Sequence, residues 1–215
     1  MTDTKPRIFL ISPARLDGVR AKSIFSPAGK GGAIARGVRT REGLPIGTVF
    51  QMLSGLYFRG KLAYATKFAT PLAGFGSGAL VITANRGLVP AETRITLEHL
   101  EAFAETDIHH AERSFRAPLE RDAKMLLDAI GDEGDVVLLG SVANAKYTAP
   151  LLSVFDTRLL FPSDFVGRGD MSRGGLLLRA VDAGAELPYV RVKGAKLKGT
   201  RPAKLTPRPP RGADK

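Results

Sequence analysis

The sequence predicts an α/β fold with a mostly parallel or mixed central sheet of about five or more strands and flanking helices. Three observations support this fold class. Five short apolar runs are spread along the chain, segments of helical periodicity lie between them, and Gly- or Pro-containing turns separate the two. Strands that alternate with helices are typical of sheets built from crossover connections. With 215 residues, of which 44% are hydrophobic and 25% charged, the chain can bury a core of its own.

The predicted strands are short and apolar, which is typical of strands buried on both faces of a sheet. The first ends at Ser12-Pro13 and the third at Gly140-Ser141, both turn-forming pairs. The five predicted strands span 8–11, 79–83, 136–139, 158–161 and 187–192.

The helical segments are recognised by apolar residues at spacings of three and four. Thr96 is a typical N-cap for the helix that follows it, and Asp170 is placed to cap the last helix. Residues 15–45 lack clear periodicity and read as a long loop with short helices. The other predicted helices are 47–68 (one helix, or two broken near Gly60), 118–130, an irregular helix around Pro150, and 171–181.

The net charge of +11 is concentrated at the two ends of the chain. Residues 1–67 carry twelve basic and three acidic residues, and residues 191–215 carry nine basic residues and one acidic residue, whereas the middle is net acidic. Residues 194–215 mix Lys and Arg with Gly and Pro and have few apolar residues, which predicts an extended tail beside a single α/β domain at 1–193. Such segments attract polyanions through counterion release. The tail has no aromatic residue on which bases could stack.

The composition excludes several classes of site. The absence of Cys excludes disulfides, Cys zinc sites and thiol nucleophiles, and three His residues do not indicate a metal site. We therefore predict no metal and no cofactor. The polar start of the chain is not a signal peptide, and no run approaches the ~20 apolar residues of a membrane span, so we expect a cytoplasmic protein without a membrane partner.

Two features indicate a ligand site. Small polar residues follow three predicted strands, and ligands of open α/β sheets bind at the carboxyl ends of strands, although ordinary turns use the same residue types. In the Gly-rich stretch 166–175, Arg168 and Arg173 are placed to hold a phosphate or carboxylate.

Four short segments resemble the YaaA peroxide-stress proteins. Residues 10–15, LISPAR, are similar to the LISPAK motif of that family, and residues 167–173, GRGDMSR, to its ARG-x-M-S-R segment. Residues 86–90 resemble its GLYGxLxP turn, and Leu139, Ser141 and Tyr147 resemble its strand-LAS-x-x-Tyr segment. The resemblance implies an α/β fold with a positively charged cleft, DNA binding and protection of DNA under oxidative stress. Relatives in that superfamily occur beside enzymes that modify nucleobases, which implies nucleic acid or nucleotide as the ligand class.

The charge distribution, the candidate site and the resemblance together suggest two functions, one of a binding protein and one of an enzyme. The first is binding of nucleic acid, DNA in preference to RNA. The second is an enzyme acting on a nucleotide or nucleobase at the carboxyl ends of the strands, although no general base is evident beyond the nearby carboxylates of Asp164 and Asp170. The candidate ligand- or phosphate-binding residues are Ser12, Arg15, Asn85, Ser141, Tyr147, Arg168 and Arg173. The candidate nucleic-acid contacts are Arg20, Lys22, Lys30, Lys193, Lys196, Lys198, Arg201 and Lys204. A protein-interaction module whose tail docks on an acidic partner is a third interpretation.

Overall fold

The computed structural model describes residues 5–26, 32–132 and 134–206, which form a mixed, mostly parallel sheet of six strands with eight flanking α-helices. The predicted fold class is confirmed. The sheet strands are β1 (Arg7–Ile11), β3 (Ala79–Ile82), β4 (Leu88–Pro90), β6 (Asp135–Leu139), β7 (Leu159–Pro162) and β8 (Tyr189–Arg191). A separate two-stranded ribbon pairs β2 (Leu44–Pro45) with β5 (Arg94–Ile95).

The strand order β4-β3-β1-β6-β7-β8 places β1 at the centre of the sheet. β3, β1, β6 and β7 are parallel, and the antiparallel strands β4 and β8 form the two edges. The chain winds outward from β1 in both directions, first to β3 and later to β6. The carboxyl end of β1 is therefore the point at which an open α/β sheet provides a ligand crevice.

The helices cover the apolar runs of the central strands. Four consecutive residues of β1, Ile8 to Ile11, are fully buried, as are Val136 to Leu139 of β6, so both strands are covered on both faces. The helices are α1 (Val19–Phe25), α2 (Gly32–Gly37), α3 (Ile46–Ser54), α4 (Leu56–Phe68), α5 (Leu97–Glu105), α6 (Arg113–Ile130), α7 (Ala145–Phe155) and α8 (Asp170–Ala183).

Several boundaries differ from those predicted. The break in the 47–68 segment is at Gly55, whose φ of 62° separates α3 from α4, and Gly60 lies inside α4. α6 begins at Arg113, because the side chain of Glu112 accepts a hydrogen bond from the Ser114 backbone N–H and caps the helix upstream of Pro118. Thr96 caps α5 as predicted, paired with His99 at the third helical position. Gly169 rather than Asp170 is the N-cap of α8.

Two glycines let α4 and α8 cross at backbone contact. A methyl group at Gly60 would stand 2.7 Å from the Gly174 carbonyl oxygen, and one at Gly174 would stand 2.8 Å from both the Leu56 carbonyl oxygen and the Tyr57 Cα. These distances are shorter than any ordinary van der Waals contact, so only glycine fits at the crossing. The close approach sets Tyr57 and Lys61 of α4 against the first turn of α8.

Candidate functional site

A half-open cavity of about 800 Å³ lies at the carboxyl ends of the three central strands. Ser12 follows β1, Ala84 lies two residues beyond β3, and Ser141 follows β6 after Gly140; all three line the cavity. Residues of α3, α4 and α5 also line the cavity, as do residues at the N-terminal ends of α7 and α8. The cavity therefore occupies the crevice that the strand order predicts.

Lys61 is the most unusual residue of this cavity. It lies on α4 with only 1% of its surface exposed, and its Nζ donates to the Ser12 carbonyl oxygen at 2.6 Å. The same Nζ lies 2.7 Å from the Ser12 Oγ, and it stands over the rings of Tyr57 and Phe58 at 4.4 and 5.1 Å from their centroids. A lysine held by backbone, hydroxyl and two aromatic faces is a fixed component of the site.

Burial lowers the pKa of Lys61 to about 7, because the ammonium loses its hydration inside the protein. The negative charge of Asp170 opposes this change, whereas the positive charges of Arg173 and Lys146 add to it. The amine therefore exchanges its proton near neutral pH, which is the range in which a general base is effective.

Aromatic side chains form much of the remaining wall. Phe50, Tyr57, Phe103 and Tyr147 line the cavity. Burial raises the pKa of Tyr57 to about 12 and also raises the pKa of Tyr147, so both phenols stay protonated. The Tyr57 hydroxyl is buried and makes no well-formed hydrogen bond to a described residue, and the nearby Arg173 guanidinium partly offsets the effect of burial on its pKa.

The charges at the cavity rim are balanced. Arg15 forms a bidentate contact with Asp17, at 2.9 and 2.5 Å, and this contact lowers the pKa of Asp17. Lys146 lies over the Tyr147 ring at 4.8 Å, and Asp170 contributes a second carboxylate. With Lys61 neutral, the described residues that line the cavity include two cations and two anions.

A separate groove of about 430 Å³ lies between α8 and residues 201–206. Among the described residues it is lined by four cations, Arg168, Arg179, Arg201 and Lys204, and by no acidic residue. Within the described ranges none of the four forms an ion pair, and the buried Nε of Arg168 has no hydrogen-bond partner. We call this feature the basic groove.

The basic groove and the cavity are neighbours. Leu56 lines the groove and the next residue, Tyr57, lines the cavity. On α8, Met171 lines the groove and the preceding Asp170 lines the cavity. The two spaces therefore lie on either side of the start of α8.

The structure brings some of the predicted ligand residues together and separates others. Ser12, Arg15, Ser141 and Tyr147 line the cavity, and Arg168 lines the basic groove. Arg173 is buried behind both: its Nε and Nη2 donate to the Phe165 carbonyl oxygen at 3.2 and 3.1 Å, and its Nη1 lies 3.7 Å from the Asp170 carboxylate. It joins α8 to the segment after β7 and faces neither space.

Asn85 also faces away from the cavity. Its side-chain amide donates to the Ala102 carbonyl oxygen and to the Thr106 Oγ1, so it anchors α5. Of the two carboxylates considered as general bases, Asp170 lies at the rim and Asp164 is exposed outside the cavity lining.

The predicted nucleic-acid contacts have different local surroundings. Arg201 and Lys204 line the basic groove, Arg20 donates to the Met52 carbonyl oxygen, and Lys193 pairs with Asp156. Of the other predicted contacts, Lys22, Lys196 and Lys198 are exposed, and Lys30 lies outside the described residues.

Sequence reasoning did not identify Lys61. The sequence does contain a pattern that could have identified it. At helical spacing, Lys61 shares one buried face of α4 with Tyr57, Tyr64 and Ala65. A cation on the apolar face of a helix must be neutralised or bound there.

The chain matches no family model, no curated protein and no solved structure. Over residues 5–26, 32–132 and 134–206, no helix has the length and apolarity needed to cross a membrane. The same ranges contain no cluster of three or more His, Asp or Glu side chains placed to hold a metal ion. The assignment of function thus depends on the geometry of the two spaces.

Proposed function

We propose that the protein is an enzyme that acts on a nucleobase, carried by a nucleotide or a nucleic acid and bound in the cavity. The observation that carries this proposal is the position of the Lys61 amine, buried against Ser12 at the inner wall of a half-open cavity. A volume of about 800 Å³ lies in the range of small-molecule sites. A protein that only bound the outside of a duplex would have no use for a buried, polar, aromatic-lined space of this kind.

The charge balance of the cavity favours the base over the phosphate as its occupant. Arg15 is held by Asp17, and the charges of Lys146 and Asp170 offset one another. Phe50, Tyr57 and Phe103 line the cavity while remaining largely buried, so they give it an apolar lining that suits the ring of a base. An uncharged ring fits this environment better than a dianion does.

The basic groove supplies the phosphate contacts that the cavity lacks. No carboxylate of a described residue lines it, and arginine binds phosphate oxygens through paired N–H donors. A base in the cavity with its phosphate directed across the start of α8 would place that phosphate near Arg168. The resemblance to the YaaA proteins agrees with a nucleic-acid ligand.

A second candidate function is binding of DNA without chemistry, protecting it under oxidative stress as that resemblance implies. The basic groove favours it, as does the net charge of residues 191–215, which contain nine basic residues and one acidic residue. In this case the groove would contact the backbone of a duplex and the cavity would stay empty.

Ligand retained by the purified protein separates the two functions. Protein isolated at gentle salt is denatured, and the released small molecules are identified by mass spectrometry. A retained nucleobase, nucleoside or nucleotide is the result expected for the enzyme. Protein that releases none of these and still shifts duplex DNA would favour the second function.

The salt dependence of DNA binding tests the groove itself. Each phosphate contact contributes about −0.9 to the slope of log K against log salt for duplex DNA. The double variant Arg201→Gln/Lys204→Gln should therefore flatten the slope by about 2. Lys67→Gln/Lys124→Gln removes the same charge from exposed positions outside both spaces and should leave the slope unchanged. Equal slopes for the two double variants would remove the groove from the DNA interface.

A further inference from the structure

We propose that Ser12 is a nucleophile, that Lys61 is its general base, and that the reaction is transfer of an acyl group from an ester or amide of the bound ligand. The proposal rests on the proposed function, since it assigns a reaction class to the same cavity. Both side chains line that cavity.

The hydrogen bonds around Lys61 allow the proton transfer that the reaction needs. The 2.6 Å contact with the Ser12 carbonyl oxygen must be a donation from nitrogen, so it occupies one N–H of the amine. The 2.7 Å contact with the Ser12 Oγ can run in either direction. In the neutral amine the lone pair is free to accept the Ser12 hydroxyl proton. The competing acceptor, the Leu139 carbonyl oxygen, is farther away at 3.3 Å.

The surroundings of Lys61 favour the neutral form of its amine. Tyr57 and Phe58 of α4 cover it with aromatic rings, and desolvation outweighs the attraction of Asp170. Arg173 on α8 and Lys146 on α7 both disfavour a further positive charge. A lysine desolvated in this way is the common form of a general-base lysine.

The reaction can be written with atoms and charges balanced. The Ser12 Oγ attacks the carbonyl carbon while its proton passes to the Lys61 Nζ, and a bond forms between Oγ and carbon. The proton then moves from Nζ to the departing alcohol or amine as its bond to carbon breaks, leaving an acyl ester on Ser12. Water attacks the ester, Lys61 takes one water proton and returns it to Oγ, and a carboxylic acid leaves.

A further feature suits an acyl substrate. The balanced charge of the lining favours an uncharged carbonyl over an anionic phosphoryl centre.

Gly140 positions the nucleophile. A methyl group at Gly140 would stand 3.0 Å from the Ser12 Cβ and 3.2 Å from its Oγ. A side chain there would push the hydroxyl away from its present place beside Lys61.

The test uses an uncharged fluorophosphonate, whose phosphorus forms a bond to an activated serine oxygen as fluoride leaves. The full-length protein is incubated with the probe, and the modified residue is found by peptide mass mapping. Modification of Ser12 is expected, at a rate that rises with pH and levels off above a midpoint near 7. Ser12→Ala should abolish it, and Ser153→Ala, a serine on α7 outside the cavity lining, should leave the rate unchanged.

Lys61→Met should slow the labelling at least about a hundredfold, the usual contribution of a general base. If Lys61→Met does not fold, two other measurements test the proposal: the pH profile of labelling in the native protein, and the slower labelling expected of Gly140→Ala. Modification of Lys61 in place of Ser12, a rate independent of pH, or no labelling at all would overturn the proposal. Calorimetric titration with nucleosides is run in parallel. Binding without labelling would refute the acyl-transfer pair alone, and labelling without binding would refute the nucleobase ligand alone.

Discussion

The crossing of α4 and α8 leads to a prediction about two adjacent glycines. In Gly174→Ala the added methyl group meets backbone atoms, the Leu56 carbonyl oxygen and the Tyr57 Cα, at 2.8 Å. Backbone atoms cannot turn aside as a side chain does, so the helices must move apart by about 0.6 Å to restore an ordinary contact near 3.4 Å. Overpacking of this kind costs about 1–3 kcal/mol.

Gly175→Ala is the matched control. Its methyl group would meet the end of the Arg179 side chain at 3.4 Å and Leu205 at 3.5 Å, both ordinary contacts. Each substitution gains about 1 kcal/mol of helix propensity, so the difference between the two variants isolates the packing term.

Urea unfolding followed by circular dichroism measures this difference. We expect Gly174→Ala to be less stable than Gly175→Ala by about 1–3 kcal/mol. At an m value of about 2 kcal/mol/M, their midpoints would lie about 0.5–1.5 M apart. Equal midpoints would show that the helices do not cross at backbone contact and would refute the placement of Lys61 that depends on it.

Three other predictions concern the cavity. Lys61 has a pKa near 7 in the folded protein against about 10.5 when unfolded, so between these values the unfolded chain binds the extra proton and stability rises with pH, by up to about 1.4 kcal/mol per pH unit. Urea midpoints from pH 6 to pH 10 should show this rise in the native protein, and its persistence in Lys61→Met would assign it to another group. Asp17→Asn frees Arg15 at the cavity rim, whereas the proposal places the phosphate at the basic groove, so calorimetry should show the same ratio of nucleoside monophosphate to nucleoside affinity as in the native protein; a few-fold gain by the monophosphate, the effect of one exposed charge pair, would mean that the phosphate lies at Arg15 instead. Tyr57→Phe removes a buried hydroxyl that makes no well-formed hydrogen bond to a described residue, so thermal unfolding should show equal or higher stability; a clear loss of stability would mean that the hydroxyl has a partner.

The fold could be predicted from the sequence because its central strands are buried on both faces. Such strands read as continuous apolar runs, and the predicted bounds of β1, β3 and β6 lie within one residue of those observed. β4 and β5 contain three and two residues, too few to show a period, and they were not predicted. The antiparallel direction of β8 depends on its pairing with β7, which local sequence does not encode.

The site could be predicted only in part. Ser12 and Ser141 lie within two residues of a strand end, so the topology alone brings them to one edge. Asn85 also lies beyond a strand end. Its side-chain amide donates hydrogen bonds to the end of α5, however, and this orients the side chain away from the cavity. Cationic side chains are usually exposed, but Arg173 and Lys61 are both buried. Arg173 donates to the Phe165 carbonyl oxygen, and Lys61 contacts Ser12. Their roles depend on the crossing of α4 and α8, which joins residues more than a hundred positions apart.

The most direct measurement of the central claim is calorimetric titration of the protein with the common nucleosides before and after the cavity is blocked. Ala104 is exposed at the cavity mouth on α5, so Ala104→Trp fills the entrance without disturbing the core, and Ala129→Trp adds the same side chain to an exposed position on α6 away from both spaces. We expect the native protein and Ala129→Trp to bind at least one nucleoside, and Ala104→Trp to lose at least tenfold in affinity for it. Equal affinity in both tryptophan variants, or no binding by the native protein, would contradict a nucleobase site at this edge of the sheet.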